Sequence, residues 1–432
     1  MTVPVFDELF NAVITPQQIE AMSAPYHSGL GAPPKVKVAD LVKGSVYHET
    51  VGEGTKAEHL REVSGVEIQD ASLSERYQAL DECVFRQVMA ATLRPLSNPK
   101  LDPTAFHKGM LLVGVDGGNF SLANTPSVQC ARRKAKARRG EAAFAKLAFC
   151  SVFELAHHEP ILAEIDGPSE MALARKLWSQ LPAQSLCLGD RYYGNGQCLS
   201  ELIPLCQERG NYFLFRVKDG LKSRIESRLA DGSALVAITS AKGATTQARE
   251  IRGKITTRTG RKIRVRFWTN LTEARVHTAR KLLQLYSMRW EQEIGYDELK
   301  NKLHRGGLLK SHTLHTAVQE LAALLIAQAL LARVRRRVGH QAGVPTLRVS
   351  FQKTRRFLQA FWAIVQISGS LFSERKIKML GQRLMAHLEK LLTPPRRKRS
   401  CPRAVRQPVT KWPRLQKNSQ AKGEILHEVI PV

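Results

Sequence analysis

The sequence predicts an α/β fold: a mixed sheet carrying a β-rich insertion, flanked by an N-terminal helical domain and C-terminal helices. Three observations carry that expectation. From about residue 108, short apolar runs of strand length alternate with amphipathic helical stretches. Residues 220–270 alternate polar and apolar side chains between glycines, as antiparallel strands do. The residues before 108, and those after about 275, follow helical spacing instead.

Element by element, the first hundred residues read as helices broken at GAPP (31–34). KAEHLREVSG and SLSERYQALDECVFRQVMAATL, within residues 56–95, form a helical cluster whose second helix starts at Ser72 or Ser74 as N-cap. The cluster is either a packed helical domain or a helix-turn-helix reader of DNA. MLLVGVDG (110–117), KLAFCSVFELA (146–156), PILAEID (160–166), SLCLGD (185–190) and NYFLFRVK (211–218) read as strands, with helices around 168–181 and 196–208. ALVAITS, ATTQAREIRG, KITTRTG and RKIRVRFWTNL form the insertion, at about 219–275. A long helix bearing Tyr286 to Lys300 follows, then a hinge at Gly306–Gly307 and helices to Leu392. The most apolar of these, Thr316 to Val334, contains Gln319, Glu320 and Gln328, and reads as a buried core helix, not a membrane span. The expected domains are 1–107 (helical), 108–345 (α/β with its insertion), 346–392 (C-terminal helices) and 393–432 (basic tail).

Charge narrows the partner. Sixty-six Lys and Arg against 38 Asp and Glu give a net charge of +28, which calls for a polyanion and points to nucleic acid. Seven cysteines without a C-x-x-C pair argue against a zinc module or a disulfide framework. Asp7 and Glu8 interrupt the apolar stretch from Met1 to Pro16, so no signal peptide is read there and the expected location is the cytoplasm. His157, His158, His304, His312 and His315 lack zinc-like partners and read as surface or packing residues. ARRKAKARRG (131–140) concentrates six cations and is either a solvated loop or a grip on a nucleic-acid backbone.

Two acids follow buried apolar runs: Asp116 ends LLVGVD and Asp190 ends SLCLGD. A carboxylate placed there costs desolvation unless it is paired or binds a metal. A third candidate lies in YSMRWEQEIGYDELK. Taken as a helix, this stretch puts Tyr286, Arg289, Glu293 and Lys300 within an arc of about 60° at roughly 100° per residue. Asp297 shares nearly that face and rivals Glu293, whereas Glu291 and Glu298 point elsewhere. Trp290 borders the stripe, either to stack on an unpaired base or to join the core. Arg191 either contacts DNA or pairs with a carboxylate.

Tyr286-x2-Arg289-x3-Glu293-x6-Lys300 resembles the Y-R-E-K signature of the DDE transposases of bacterial insertion sequences, the IS-four family. Asp116 in VDGGNFSLANTPS and Asp190 in GDRYYGNG are similar to that family's first and second acids, and RSCPRAVRQPVTKWPRLQ to its basic closing segment. The resemblance covers about 108–415. Gly117–Gly118–Asn119 departs from the usual Gly followed by a hydroxyl residue, and Gly194 stands where a small serine is common.

The resemblance implies a ribonuclease-H-like core in which Asp116, Asp190 and Glu293 are catalytic and ligate Mg2+ (two ions, with Mn2+ as substitute). It implies cleavage at the element's terminal inverted repeats and joining of the freed 3′-hydroxyls to target DNA. Tyr286, Arg289 and Lys300 would hold DNA phosphates, with Arg191 and Trp290 beside them. It also implies a homodimer in the DNA complex, acting in the bacterial cytoplasm at the nucleoid with no membrane partner. The alternatives are a non-catalytic DNA-binding protein derived from a transposase and a nuclease of the same fold.

Overall fold

The computed structural model describes residues 6–26, 36–137, 140–256, 262–394, 399–400, 421–422 and 426–429. The GAPP break, part of the 131–140 cation run, the end of KITTRTG and most of the basic tail lie outside the described residues. The chain forms two compact units, Met1–Pro182 with Trp290–Thr393, and Ala183–Arg289 with Pro394–Val432.

The first unit opens with six helices: α1 (Phe6–Asn11), α2 (Pro16–Ser23), α3 (Val38–Val51), α4 (Lys56–Ser64), α5 (Asp70–Ala79) and α6 (Glu82–Thr92). Reciprocal caps start α2 (Thr15 with Gln18) and α4 (Thr55 with Glu58), so local chemistry fixes both ends. The single helix expected from Ser72 or Ser74 is instead two. Both serines lie inside α5, and the chain turns extended at Leu80. Asp81 then caps α6 by accepting the Cys83 N–H at 2.8 Å, offering the backbone a better partner than continued helix would.

The strands of this unit are β1 (Phe106–His107), β2 (Met110–Ser121), β3 (Lys136–Ala137), β4 (Gly140–Glu141), β5 (Lys146–Glu154) and β6 (Glu159–Ile165). β5 pairs antiparallel with both β2 and β6, β1 lies against β2, and β3 pairs with β4. Helix α7 (Pro126–Ala131) follows β2, and α8 (Glu170–Trp178) packs on β5 and β6.

The second unit holds β7 (Ser185–Gly194), α9 (Gly196–Arg209), β8 (Tyr212–Val217), β9 (Arg224–Arg228), β10 (Ala234–Thr239), β11 (Thr245–Thr256), β12 (Lys262–Thr269) and α10 (Ala279–Leu285). Its strand order is β7-β8-β12-β11-β10-β9, parallel between β7 and β8 and antiparallel beyond. The insertion is therefore no separate sheet. It extends β8 through Phe267↔Arg216, Trp268↔Phe215 and Thr269↔Leu214. Near the C-terminus, β13 (Arg399–Ser400) pairs with β14 (Ala421–Lys422), and β15 (Leu426–Val429) adds to β11.

The chain then returns to the first unit through α11 (Trp290–Asp297) and a π-helical turn (Glu298–Leu303), followed by α12 (Leu314–Gln341), α13 (Phe351–Ser368) and α14 (Glu374–Lys390). Helix α12 is long and apolar enough to cross a membrane, yet its most apolar window is entirely buried inside the protein. Its polar residues are spent internally. Gln319 donates to the carbonyls of Tyr77 (2.9 Å) and Leu80 (2.6 Å), Glu320 accepts the N–H groups of Lys310 and Ser311, and Gln328 donates to the Gly295 carbonyl. Helices α3 and α6 pack on α12, so the apolar faces of the N-terminal cluster close the core of this unit.

Candidate active site

In the first unit the site is built around Asp116. β2 does not end at this acid but continues to Ser121, with Asp116 half-buried and opposite Ser151 in β5. Its Oδ1 accepts the Gly117 N–H at 2.9 Å. The Tyr296 hydroxyl donates to the Asp116 carbonyl and lies 2.9 Å from the Ser151 hydroxyl, pinning α11 to this point of the sheet. Burial pushes the Tyr296 phenol well above its ordinary value, so it remains a donor. Gly295 allows the close approach, because a Cβ there would lie 2.6 Å from the Phe153 ring.

Glu293 stands on α11, half-buried, one turn before Tyr296. Lys300 follows in the π-helical turn, a wide geometry that alters the uniform rotation expected for this stretch. Its ammonium lies 5.3–5.8 Å from the centroids of the Phe120, Phe149 and Tyr296 rings. Burial lowers its pKa, and the nearby Asp116 charge opposes that shift. The departure at Gly118 now has a reason: a Cβ there would meet the Phe149 ring at 2.6 Å and the Lys300 Nζ at 3.0 Å.

The neighbouring acids sort themselves by partner. Asp297, the rival to Glu293, is hydrogen-bonded to Asn301 (2.8 Å) and ion-paired with Lys302 (2.9 Å). Glu291 and Glu298 do point elsewhere, and to a definite place: His158 sits between them at 2.7 and 2.9 Å, and Arg335 reaches Glu298 at 3.0 Å. His158 and Glu298 are buried, so these are internal struts of the motif helix. Trp290 is 49% exposed, which overturns its core alternative. In the cation run, Arg132 is ion-paired with Asp166 and so is not simply solvated.

The second unit carries Asp190. β7 also runs past its acid, to Gly194, but its regular pairing with β8 stops at Gly189 and resumes only at Gly194↔Val217. Asp190 thus begins a bulged stretch, where its Oδ1 accepts the Tyr192 N–H at 2.7 Å. Tyr286 and Arg289 begin and end a 3-10 turn, Tyr286–Arg289, in which residues three apart eclipse. The Tyr286 hydroxyl donates to the Gly189 carbonyl at 3.1 Å, bracing the strand just before Asp190, and its ring meets Phe267 edge-on. The Arg289 guanidinium lies 6.0 Å from the Tyr286 centroid.

Arg216 is a further cation that sequence reasoning passed over. Its pKa is lowered by burial and by the neighbouring charges of Arg191 and Arg289, against the pull of Tyr286 and Asp219. Arg191, Arg216 and Arg289 therefore lie close enough to feel one another's charge. The available signal was the charge of Arg216 inside the apolar run YFLFRV (212–217). Gly194 is fixed by contact, since a Cβ would lie 1.9 Å from the Arg216 carbonyl oxygen. Gly194→Ser should therefore cost about 3 kcal/mol through forced separation of β7 from β8. An unchanged urea midpoint for this variant would refute the contact.

Among the described residues, no group of three or more His, Cys, Asp or Glu side chains is placed to hold a metal ion. Asp116 and Glu293 belong to one unit and Asp190 to the other. Residues 111–330, half of the chain, match the family model of the transposase DDE domain. The chain belongs to that family. The match begins in the strand of Asp116 and ends in α12, so it includes all three acids and Lys300.

The transposase is 25% identical over 322 residues to "Transposase InsG for insertion sequence element IS4" of Escherichia coli (strain K12), a similarity that covers 72% of this chain and 71% of that protein. This bears out the resemblance to the IS-four family. Among solved structures, the piggyBac transposase synaptic complex with hairpin DNA aligns with a TM-score of 0.44 at 8% identity, over 90% of this chain and 84% of that one. The transposase is thus an enzyme that acts on DNA, and its fold is mixed α/β.

Proposed function

We propose that this transposase cuts DNA at the terminal inverted repeats of its element and joins the freed 3′-hydroxyls to target DNA, with Asp116, Asp190 and Glu293 as the catalytic acids. The observation that carries the assignment is the Tyr296 hydroxyl on the Asp116 carbonyl, which fastens the helix of Glu293 to the strand of Asp116. Three carboxylates make an all-oxygen donor set of the kind Mg2+ prefers, with Mn2+ as substitute. When two such ions are bound, they supply an activated water or 3′-hydroxyl and a stabilised leaving oxygen.

The protein's own groups then have distinct tasks. Arg289, Arg191 and Arg216 offer planar donors to phosphate oxygens, and Lys300 offers a point charge beside Asp116. Tyr286 braces the strand of Asp190, and the exposed Trp290 ring is placed to stack on an unpaired base. In the cutting step, water attacks the phosphorus, the 3′-oxygen leaves and one proton is released. In the joining step, that 3′-hydroxyl attacks a target phosphodiester and displaces another 3′-oxygen. Residues 1–107 are assigned to end-DNA binding, and pairing of two ends calls for a homodimer on DNA.

The test is incubation of the full chain with Mg2+ and a duplex bearing the element's repeats. Nicks confined to the repeat ends, followed by joined products, are expected. Cleavage scattered without regard to the ends would instead make the protein a nuclease of the same fold. Normal cutting by Glu293→Ala would remove Glu293 from the acid set.

A further inference from the structure

The antiparallel ribbon β11–β12 has one apolar and one cationic face. Ile251, Val265 and Phe267 are buried on the first. On the second, the register sets Arg252 against Arg266, Lys254 against Arg264, and Lys262 across from Thr256. Like charges directly opposite each other destabilise a ladder, yet this ribbon does so at two consecutive same-face positions.

Glu250 relieves only the inner pair. Arg252 takes its Oε1 at 2.8 Å and Arg266 takes its Oε2 at 2.7 Å, so both carboxylate oxygens are used. Among the described residues, no ion pair reaches Lys254, Lys262 or Arg264, and Arg264 and Lys262 are exposed. On the other edge of β11, Lys254 stands opposite Glu428 in register. Arg252, Lys254, Arg264 and Arg266 line a cleft of about 610 Å³ in which Asp219 is the one acid among the described residues. A cationic cleft on a rigid two-stranded ribbon fits a phosphate backbone better than it fits any apolar ligand.

We infer that the cationic face of β11–β12 is a second DNA-backbone site, gripping duplex phosphates independently of the acids. It deepens the proposed function and rests on that reading for its partner, but not on the assignment of the acids. Such contacts position DNA without reading its sequence, and each one releases counterions.

The experiment measures binding of the full chain to duplex DNA in EDTA across a salt series. For the double variant Lys254→Gln/Arg264→Gln, the slope of log K against log salt is expected to become shallower by about 1.8. Lys176→Gln, which removes a cation paired with Glu164, is expected to leave the slope unchanged. The DNA-free melting midpoint of the double variant should be equal to or above the parent's at low salt, since opposed like charges are gone. An unchanged slope in the double variant, an equal loss per charge in Lys176→Gln, or a lowered midpoint would each overturn the inference. Because no divalent ion is present, a wrong choice of catalytic acid leaves this result standing, and a failure here leaves the acids untouched.

Discussion

Asp116→Asn is expected to lower strand cleavage by about 10³-fold or more, while DNA binding in EDTA and the melting midpoint stay near the parent's. The substitution keeps shape and retains an oxygen to accept the Gly117 N–H, so local structure has no reason to change. What disappears is the negative charge of the proposed first catalytic acid. A hard cation bound by carboxylates is worth several kcal/mol to a phosphoryl transition state, at about 1.4 kcal/mol per decade of rate. Asp190→Asn and Glu293→Gln should match it. Asp297→Asn should stay within a few-fold of the parent, because that acid serves Asn301 and Lys302. Single-turnover cleavage separates these cases. A tenth or more of parental activity in Asp116→Asn would remove Asp116 from the chemistry.

Arg335→Met should destabilise the protein by about 3–5 kcal/mol, the range for breaking a buried ion pair from one side. The guanidinium reaches Glu298 at 3.0 Å and the Val349 carbonyl at 3.1 Å, with both charged side chains almost fully buried. Burial alone would raise the pKa of Glu298. Arg335 and then His158 outweigh it and hold the carboxyl at about 2, against its usual 4.5. A carboxyl depressed on folding contributes stability above its unfolded pKa and loses it as pH falls through the folded one. The parent should therefore lose on the order of 3 kcal/mol from this group between about pH 4.5 and 2. In Arg335→Met that acid limb should flatten. Urea titrations across this window would show it, and a cost below about 1 kcal/mol would contradict the strut.

Much of the fold was legible because local signals and burial agreed. Apolar runs gave the strands of Asp116 and Asp190, and the interrupted but apolar 316–334 stretch gave α12 its core role. The strands' continuation beyond both acids was not legible, since GGNFS and RYYG lack apolar alternation and are held by pairing with distant partners. Nor was the split at Leu80–Asp81, where one aspartate's choice of backbone partner ends a helix that propensity would continue. The signature's spacing singles out Glu293 among several acids as the expected third one. Its unlike turns, 3-10 at Tyr286 and π at Lys300, are tertiary adjustments that a helical wheel does not contain. The tie of His158 to Glu291 and Glu298 spans more than 130 residues of sequence and leaves no local trace. Gly118 and Gly194, which looked like mild departures, are each dictated by a close contact.

The burial of α12 also constrains the order in which the chain can be made and folded. Helices α3 and α6 leave the ribosome early but complete their packing only against a helix that ends at Gln341. About 250 residues separate the two, which at roughly 5–20 residues per second means on the order of 10–50 s of synthesis. During that interval α3 can pack on α2 and α4, but the faces of α3 and α6 that meet α12 have no native partner. Nascent chains stopped before α12 should therefore be captured by chaperones or aggregate, and release of the 314–341 segment from the ribosome becomes the event that commits this unit to its native core.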